Sequence, residues 1–307
     1  GKPTDNEVLN ARLIDRPIRP MIPKGWHYET QIIANVFSAE PEVDPDTLAA
    51  TGASAALLIS DIPFSGPMSE VRVGKIDGQF VANPSFELSS KSTLDITVAG
   101  TDNAIIMVEG ESKEISEEEF IEALEFAHNK IKELNQLQKD FAAQFNVEKR
   151  EFAKEEIPSE LKELVINEIK EDLNEYIHKV TTKSERGKTR DEFDQKAIAK
   201  ATEVYGENEE IAPKLEKWVK SIVNDYEKQE MRKMIINEKV RLDGRGLEDI
   251  RKITCEVGLL PRVHGSALFT RGETQSLVSV TLGTQKDLQT IDGLDPVYQE
   301  RFILHYN

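Results

Sequence analysis

The chain has 307 residues, 38% of them hydrophobic and 31% charged, with 56 acidic against 39 basic side chains and a formal net charge of −17. Two or three domains are expected at this length, no apolar run approaches the roughly 20 residues of a membrane-crossing helix, and the lone Cys255 excludes an internal disulfide framework. The acidic surplus excludes a broadly basic nucleic-acid-binding surface, so any such site must be a local cluster of arginines.

Residues 6–14 have helical spacing, with Val8, Leu9, Leu13 and Ile14 apolar. The pair Arg16-Pro17 predicts a stop there, because a residue before proline is pushed out of the α region. The run ARLIDRPIRP (11–20) puts three guanidinium groups within eight residues on a proline-stiffened segment. Arginine forks suit bidentate phosphate contacts, which makes Arg12, Arg16 and Arg19 candidate RNA or phosphate ligands, with Lys2 beside them. Pairing of these arginines with nearby carboxylates is the competing structural reading.

Residues 31–39 alternate as a strand does. Residues 44–60 predict a small-residue helix with Asp44 at its N-cap and Pro45 in its first turn, and a tight crossing is expected to explain Gly52 within it. A hairpin follows, 68–76 and 79–83 about Asp77-Gly78, then a second strand pair, 93–99 and 104–109. This is α+β patterning, a helix layer on antiparallel strands.

Strand signals vanish over 111–240, which hold 32 acidic and 23 basic groups. Ser116 predicts an N-cap, with Glu119 completing a capping box. Ile121, Leu124, His128, Ile131, Leu134, Leu137 and Phe141 mark the expected buried stripe. Further helices are predicted over 159–180, 190–205 and 211–238. Gly187-Lys188-Thr189 copies the tail of a phosphate-binding loop, but Thr182 stands where that loop needs glycine. Lys183, Arg186, Lys188 and Arg190 therefore read as a solvated loop face. His178 has no second ligand at metal-binding spacing, and Trp218 and Tyr226 read as packing residues.

Past 240, DGRG (243–246) is a turn, and strands are expected over 252–257, 266–270 and 276–282, the last two joined at Arg271-Gly272-Glu273-Thr274. Cys255, among apolar strand neighbours, is expected as a buried thiol in a reducing compartment. Residues 286–294 read as a loop with a turn at Asp292-Gly293, and 302–306 as the next strand. Arg262 and His264 border a polar corner; the structural reading is that His264 donates to a carbonyl and pins it.

The runs DGRG, PRVHGSALFTRGETQ (261–275) and TLGTQ (281–285), together with ARLIDRPIRP, VAGT (98–101) and MVE (107–109), resemble the polynucleotide phosphorylase family over essentially the whole chain. The resemblance implies two incomplete RNase PH-like βα core lobes joined by an all-helical linker. Residues 1–110 would be the C-terminal part of the first core domain, 111–145 a long helix leading out of it, 146–240 the linker, and 241–307 the N-terminal part of the second core domain. It implies a cytoplasmic, phosphate-dependent 3′→5′ exoribonuclease of mRNA degradation, working as a homotrimeric ring on single-stranded RNA, with no membrane, and with other RNA-degradation proteins as partners. Inorganic phosphate would be the co-substrate and Mg²⁺ the metal. The family's catalytic and metal-binding groups are expected beyond Asn307, so the chain reads as an internal, catalytically silent fragment with no catalytic or metal residue of its own. Arg12, Arg16 and Arg19 would lie beside the RNA path, and Arg262, His264 and Arg271 would support the second-domain site. The alternatives are a non-catalytic, RNA-binding, ring-forming subunit of an exosome-like assembly, and an acidic protein-docking module.

Overall fold

A computed structural model describes residues 3–40, 42–152, 156–292 and 297–306. They divide into two compact units, Gly1–Glu155 and Glu156–Asn307.

In the first unit, Thr4 and Glu7 form a reciprocal capping box at the start of α1 (Asp5–Ile18). The helix runs through Pro17, past the expected stop. Pro17 falls in the last turn, where its missing N–H forfeits one bond, while the Arg19 amide closes onto the Asp15 carbonyl. Burial of Pro17 and Ile18 holds that turn in place, so the arginine run is helix and not an extended proline-locked segment. Residues 31–39 form no strand. They are irregular, with a bend at 37–38, and exposed throughout, and alternation without a described strand alongside gives no ladder.

α2 (Asp46–Leu58) takes Pro45 as its N-cap, with Asp44 Oδ1 accepting from the Asp46 amide at 3.2 Å. Ala50 and Ala53 provide its close approach to the core, whereas a Cβ at Gly52 would meet nothing within 4 Å. The expected crossing at Gly52 is therefore absent. β1 (Ser69–Ile76) and β2 (Gln79–Ala82) form the hairpin, with Asp77 and Gly78 at φ 50° and 79°, the positive pair that a tight two-residue turn needs. A short α3 (Phe86–Ser90), capped by Ser85, precedes β3 (Leu94–Gly100) and β4 (Ile105–Ser112). The sheet is antiparallel in the order β2-β1-β3-β4.

α4 (Glu117–Ala142) covers one face of this sheet instead of leading away from it. Its buried apolar positions, Ala123, Ala127 and Ile131, pack against Val71, Val73, Leu94, Ile96 and Val98, with Asn135 and Gln138 buried further along. Of the expected stripe Ile131 is buried and Leu124 and Leu134 are half-buried, so the contact is centred on the alanines beside it. Ile121 and Leu137 face solvent, because the alanines let the helix axis approach where bulkier side chains would hold it off. Only half of the capping box forms. Ser116 accepts from the Glu119 amide, but the Glu119 carboxylate reaches Lys75 Nζ at 2.8 Å.

After α4 the chain folds back as a strap onto the same unit. Lys149 Nζ donates to the carbonyls of Leu57, Leu58 and Ser60 at 2.8, 3.0 and 2.7 Å, satisfying the open end of α2, and Arg150 pairs with Asp61. Partial burial pulls the Lys149 amine below its ordinary range, with Asp61 opposing. Lys149→Met is expected to cost this unit roughly 2 kcal/mol, read as a lower urea midpoint, since three carbonyls lose a charged donor.

The second unit opens with three helices, α5 (Ser159–His178), α6 (Lys183–Tyr205) and α7 (Leu215–Glu238). Leu161, Val165, Ile169 and Leu173 recur along one face of α5 and pack with Phe193, Ala197, Ala201, Val219 and Val223. Trp218 is buried and Tyr226 half-buried in this core, as packing residues. A Thr182–Glu185 capping box starts α6 earlier than expected, so the basic stretch 183–190 and Gly187-Lys188-Thr189 lie on a helix and not in a loop. Then come β5 (Ile253–Val257), β6 (Gly265–Arg271) and β7 (Thr274–Val280), adjacent and antiparallel. Every residue of β5 and β7 is exposed, Cys255 included, so its expected burial is corrected. The expected loop over 286–294 contains β8 (Gln289–Ile291), which pairs with β9 (Tyr298–Glu300). The last strand is thus β9 and not 302–306, which finds no partner among the described residues. Gly293, half of the expected turn, lies outside the described residues.

Candidate nucleic-acid interface

Along α1 and its C-cap, Arg12, Arg16 and Arg19 fall at i, i+4 and i+7, and Arg19 keeps helical φ and ψ, which places the three on one helical face. Leu13, Ile14 and Ile18, on other turns of the surface, pack into the core with Ala50, Met68 and Met107, and that packing fixes which side faces out. Arg12 is exposed, and its guanidinium has no hydrogen bond or ion pair among the described residues. Arg16 pairs with Glu109 on β4. Arg19 holds Asp15 with a fork, Nε at 3.1 Å from Oδ2 and an Nη at 2.8 Å from Oδ1. The structure therefore brings the three together, with carboxylates already on two of them. Those two pairs are substantially exposed, and exposed pairs contribute about 0–1 kcal/mol, so a phosphate can displace either carboxylate at little cost. Lys2 lies outside the described residues.

Beneath α2, on the sheet face opposite α4, lies a charged cluster that sequence reading missed. Arg72 on β1 faces three carboxylates, Asp44 at 2.7 Å, Asp95 at 3.3 Å and Asp46 at 3.5 Å. Burial works against the Arg72 charge, but Asp46, Asp95 and Asp44 outweigh it and raise its pKa. Burial pushes the Asp46 carboxyl up, against the pull of Arg72. Glu70 is 1% exposed and neither carboxylate oxygen has a hydrogen-bond partner. Burial, reinforced by the Asp46 charge and opposed by Arg72 and Arg16, lifts its pKa to about 8. The signal was present in the sequence: Glu70 and Arg72 alternate with Val71 and Val73, so one sheet face is apolar while the other buries charge.

In the second unit, His264 Nδ1 accepts from the Leu282 amide at 2.8 Å. It pins the corner, though as an acceptor and not the expected donor. Arg262 is exposed nearby in sequence. Arg271 ends β6, opposite Thr274, whereas His264 precedes the other end, where Gly265 faces Val280. About 3.3 Å of rise per residue puts Arg271 roughly 20 Å from that corner, so the three do not converge. His178, on α5, is bound by the Asn174 carbonyl at 2.7 Å and Glu238 at 3.0 Å; these bonds raise its pKa, the backbone contact foremost. No cluster of metal-ligating side chains occurs among the described residues.

The 3′ exoribonuclease family, domain 1, matches residues 1–63 and 249–307, and domain 2 of that family matches 66–130. The polyribonucleotide nucleotidyltransferase RNA binding domain matches 160–246. Polyribonucleotide nucleotidyltransferases of Chlorobaculum parvum and Thermotoga neapolitana are each 46% identical over 100% of this chain and 43% of their own length. The chain thus spans less than half of the curated relatives it matches. Rice (Oryza sativa) Rrp46 overlaps 47% of this chain and 66% of its own at 15% identity and a TM-score of 0.36, too weak a likeness to carry an argument.

Proposed function

The chain belongs to the polyribonucleotide nucleotidyltransferase family, and from that premise we propose that it forms part of the RNA-conducting body of a phosphate-dependent 3′→5′ exoribonuclease. In that reaction an oxygen of inorganic phosphate attacks the last phosphodiester of single-stranded RNA. The bond to the 3′-oxygen of the preceding nucleotide breaks, that oxygen takes up a proton, and a nucleoside diphosphate leaves. Catalysis, with Mg²⁺ as its metal, is a property of the whole enzyme. The 307 residues alone bind RNA without shortening it. The assembly is a homotrimeric ring in the cytoplasm, where other RNA-degradation proteins dock. No described helix is long and apolar enough to cross a membrane.

The observation that carries this reading is the row Arg12, Arg16 and Arg19 on one exposed face of α1, in a chain whose formal net charge is −17. An acidic protein holds RNA through such local forks, whose N–H pairs match phosphate oxygens. The row is a backbone contact, so it positions RNA without reading sequence. Replacing Arg16 and Arg19 by Ala in the whole enzyme is expected to raise the KM for RNA about tenfold while kcat is kept, since the chemistry lies elsewhere. An unchanged KM would reject the assignment. Arg262 and Arg271 remain secondary candidates of the same kind in the second unit.

A further inference from the structure

Two basic stretches of an otherwise acidic unit meet in one depression. The first is the start of α6, where Arg186 stands just past the Thr182–Glu185 capping box. The second is the turn 241–246. There the Arg241 amide bonds the Arg245 carbonyl at 2.8 Å, the Gly244 amide bonds the Arg241 carbonyl at 2.8 Å, and Gly244 takes φ 79°. That closed turn sets Arg241 and Arg245 side by side, and with Arg186 they line an open hollow of about 610 Å³ whose apolar lining is Ile235, Leu242 and Leu247.

The carboxylate in the lining, Asp243, is already engaged by Arg245 Nε at 2.8 Å. Arg241 and Arg245 each spend further N–H groups on carbonyls, those of Leu247 at 2.6 Å and Asp249 at 2.8 Å, which orders both forks in advance. The Arg186 guanidinium, half-buried, makes no hydrogen bond or ion pair among the described residues. A guanidinium has five N–H donors, so most of the donors in this hollow are uncommitted. Three guanidiniums around one engaged carboxylate leave a local positive surplus, and the nearby N-terminus of α6 adds to it. Arg190 does not join them, being held by Glu227 at 3.0 Å and Asp194 at 3.3 Å.

We propose that the hollow lined by Arg186, Arg241 and Arg245 is a phosphate subsite, taking one phosphate group of single-stranded RNA or of a free nucleotide. It rests on the RNA-binding reading above only for the choice of RNA as a source. Its residues and its unit are separate from the α1 row.

Arg186 is the clean probe, because its side chain makes no hydrogen bond or ion pair among the described residues and its charge acts only at a distance, on the Tyr176 hydroxyl. Fluorescence anisotropy with a labelled short oligo(A), and calorimetry with ADP and with inorganic phosphate, would be run on the 307-residue chain, on Arg186→Glu and on Arg12→Ala. Arg186→Glu is expected to weaken the oligonucleotide about tenfold and to flatten its salt dependence by about 0.7 in log–log slope, with an unchanged urea midpoint. An Arg186 effect on the oligonucleotide alone identifies an RNA backbone phosphate. An Arg186 effect on ADP or phosphate binding identifies a free ligand. If Arg186→Glu matches the parent chain with all three probes, the subsite is refuted. Should Arg12→Ala alone then weaken the oligonucleotide, the RNA reading survives without it. If ADP depends on Arg186 while the oligonucleotide binds neither chain, the RNA reading fails and the subsite stands.

Discussion

Glu70→Gln is expected to remove a steep fall in stability between about pH 4.5 and pH 8, and to leave the protein several kcal/mol more stable than its parent at alkaline pH. The sign follows from the direction of the shift. In the unfolded chain the Glu70 carboxyl has the ordinary pKa of 4.5; in the folded protein burial lifts it to about 8. The folded state therefore keeps a proton that the unfolded state has lost. Stability is fully present below the lower value, declines as pH rises between the two, and levels off above the upper one. At about 1.4 kcal/mol per pH unit, the whole effect is on the order of 5 kcal/mol at most. The groups facing Glu70 are Asp46 on α2, Arg72 on β1 and Arg16 on α1. Asp46 shifts in the same direction, so a shallower slope persists in the variant. Urea unfolding of both proteins across this range decides the matter, and parallel curves would show that Glu70 does not carry the dependence.

The second large effect is expected from Ile169→Ala in the helical core. Ile169 is fully buried, one turn from Val165 and from Leu173, and both neighbours are also buried. Truncation leaves a cavity that this close-packed bundle cannot collapse around, for a loss of about 3–4 kcal/mol. That is a large part of the 5–15 kcal/mol by which domains are generally stable. Trp218 lies in the same core and reports on it, and a Trp26→Phe background removes the other tryptophan signal. Ile236→Ala, at a residue 62% exposed, is the matched control and is expected to move the transition by less than about 0.5 kcal/mol. Equal shifts in the two variants would mean that the α5 face is not the core of the bundle.

Much of the fold was legible where a local rule and the tertiary packing agree. Asp77-Gly78 set the β1–β2 hairpin because few residue pairs take two positive φ angles, and Ser116 started α4 because a hydroxyl satisfies an open amide. The failures fall where a distant partner decides. Residues 31–39 alternate like a strand and 302–304 are an apolar run, yet a strand exists only when another backbone lies beside it. Pro17 reads as a stop, yet burial of Ile18 outweighs one lost hydrogen bond. α4 turned its alanines inward because close approach to the sheet buries more than the larger residues could at a distance. The arginine row was readable as composition, but not that Glu109, from a strand ninety residues away in sequence, would cover Arg16. The buried cluster around Arg72 went unread because a charged residue in a strand is normally a solvent-facing one. Arg186 looked like part of a solvated loop until the capping box at Thr182 put it on a helix, beside a turn some sixty residues further on.

The affinity of the chain for single-stranded RNA as a function of salt, measured for the parent and for an Arg12→Ala, Arg16→Ala, Arg19→Ala triple variant, tests the central claim most directly. Each phosphate contact contributes about 0.7 to the log–log slope, so losing three is expected to flatten it by about 2, with affinity at low salt falling by a factor of 100 or so. An unaltered slope and affinity would mean that α1 holds its carboxylates and never meets RNA.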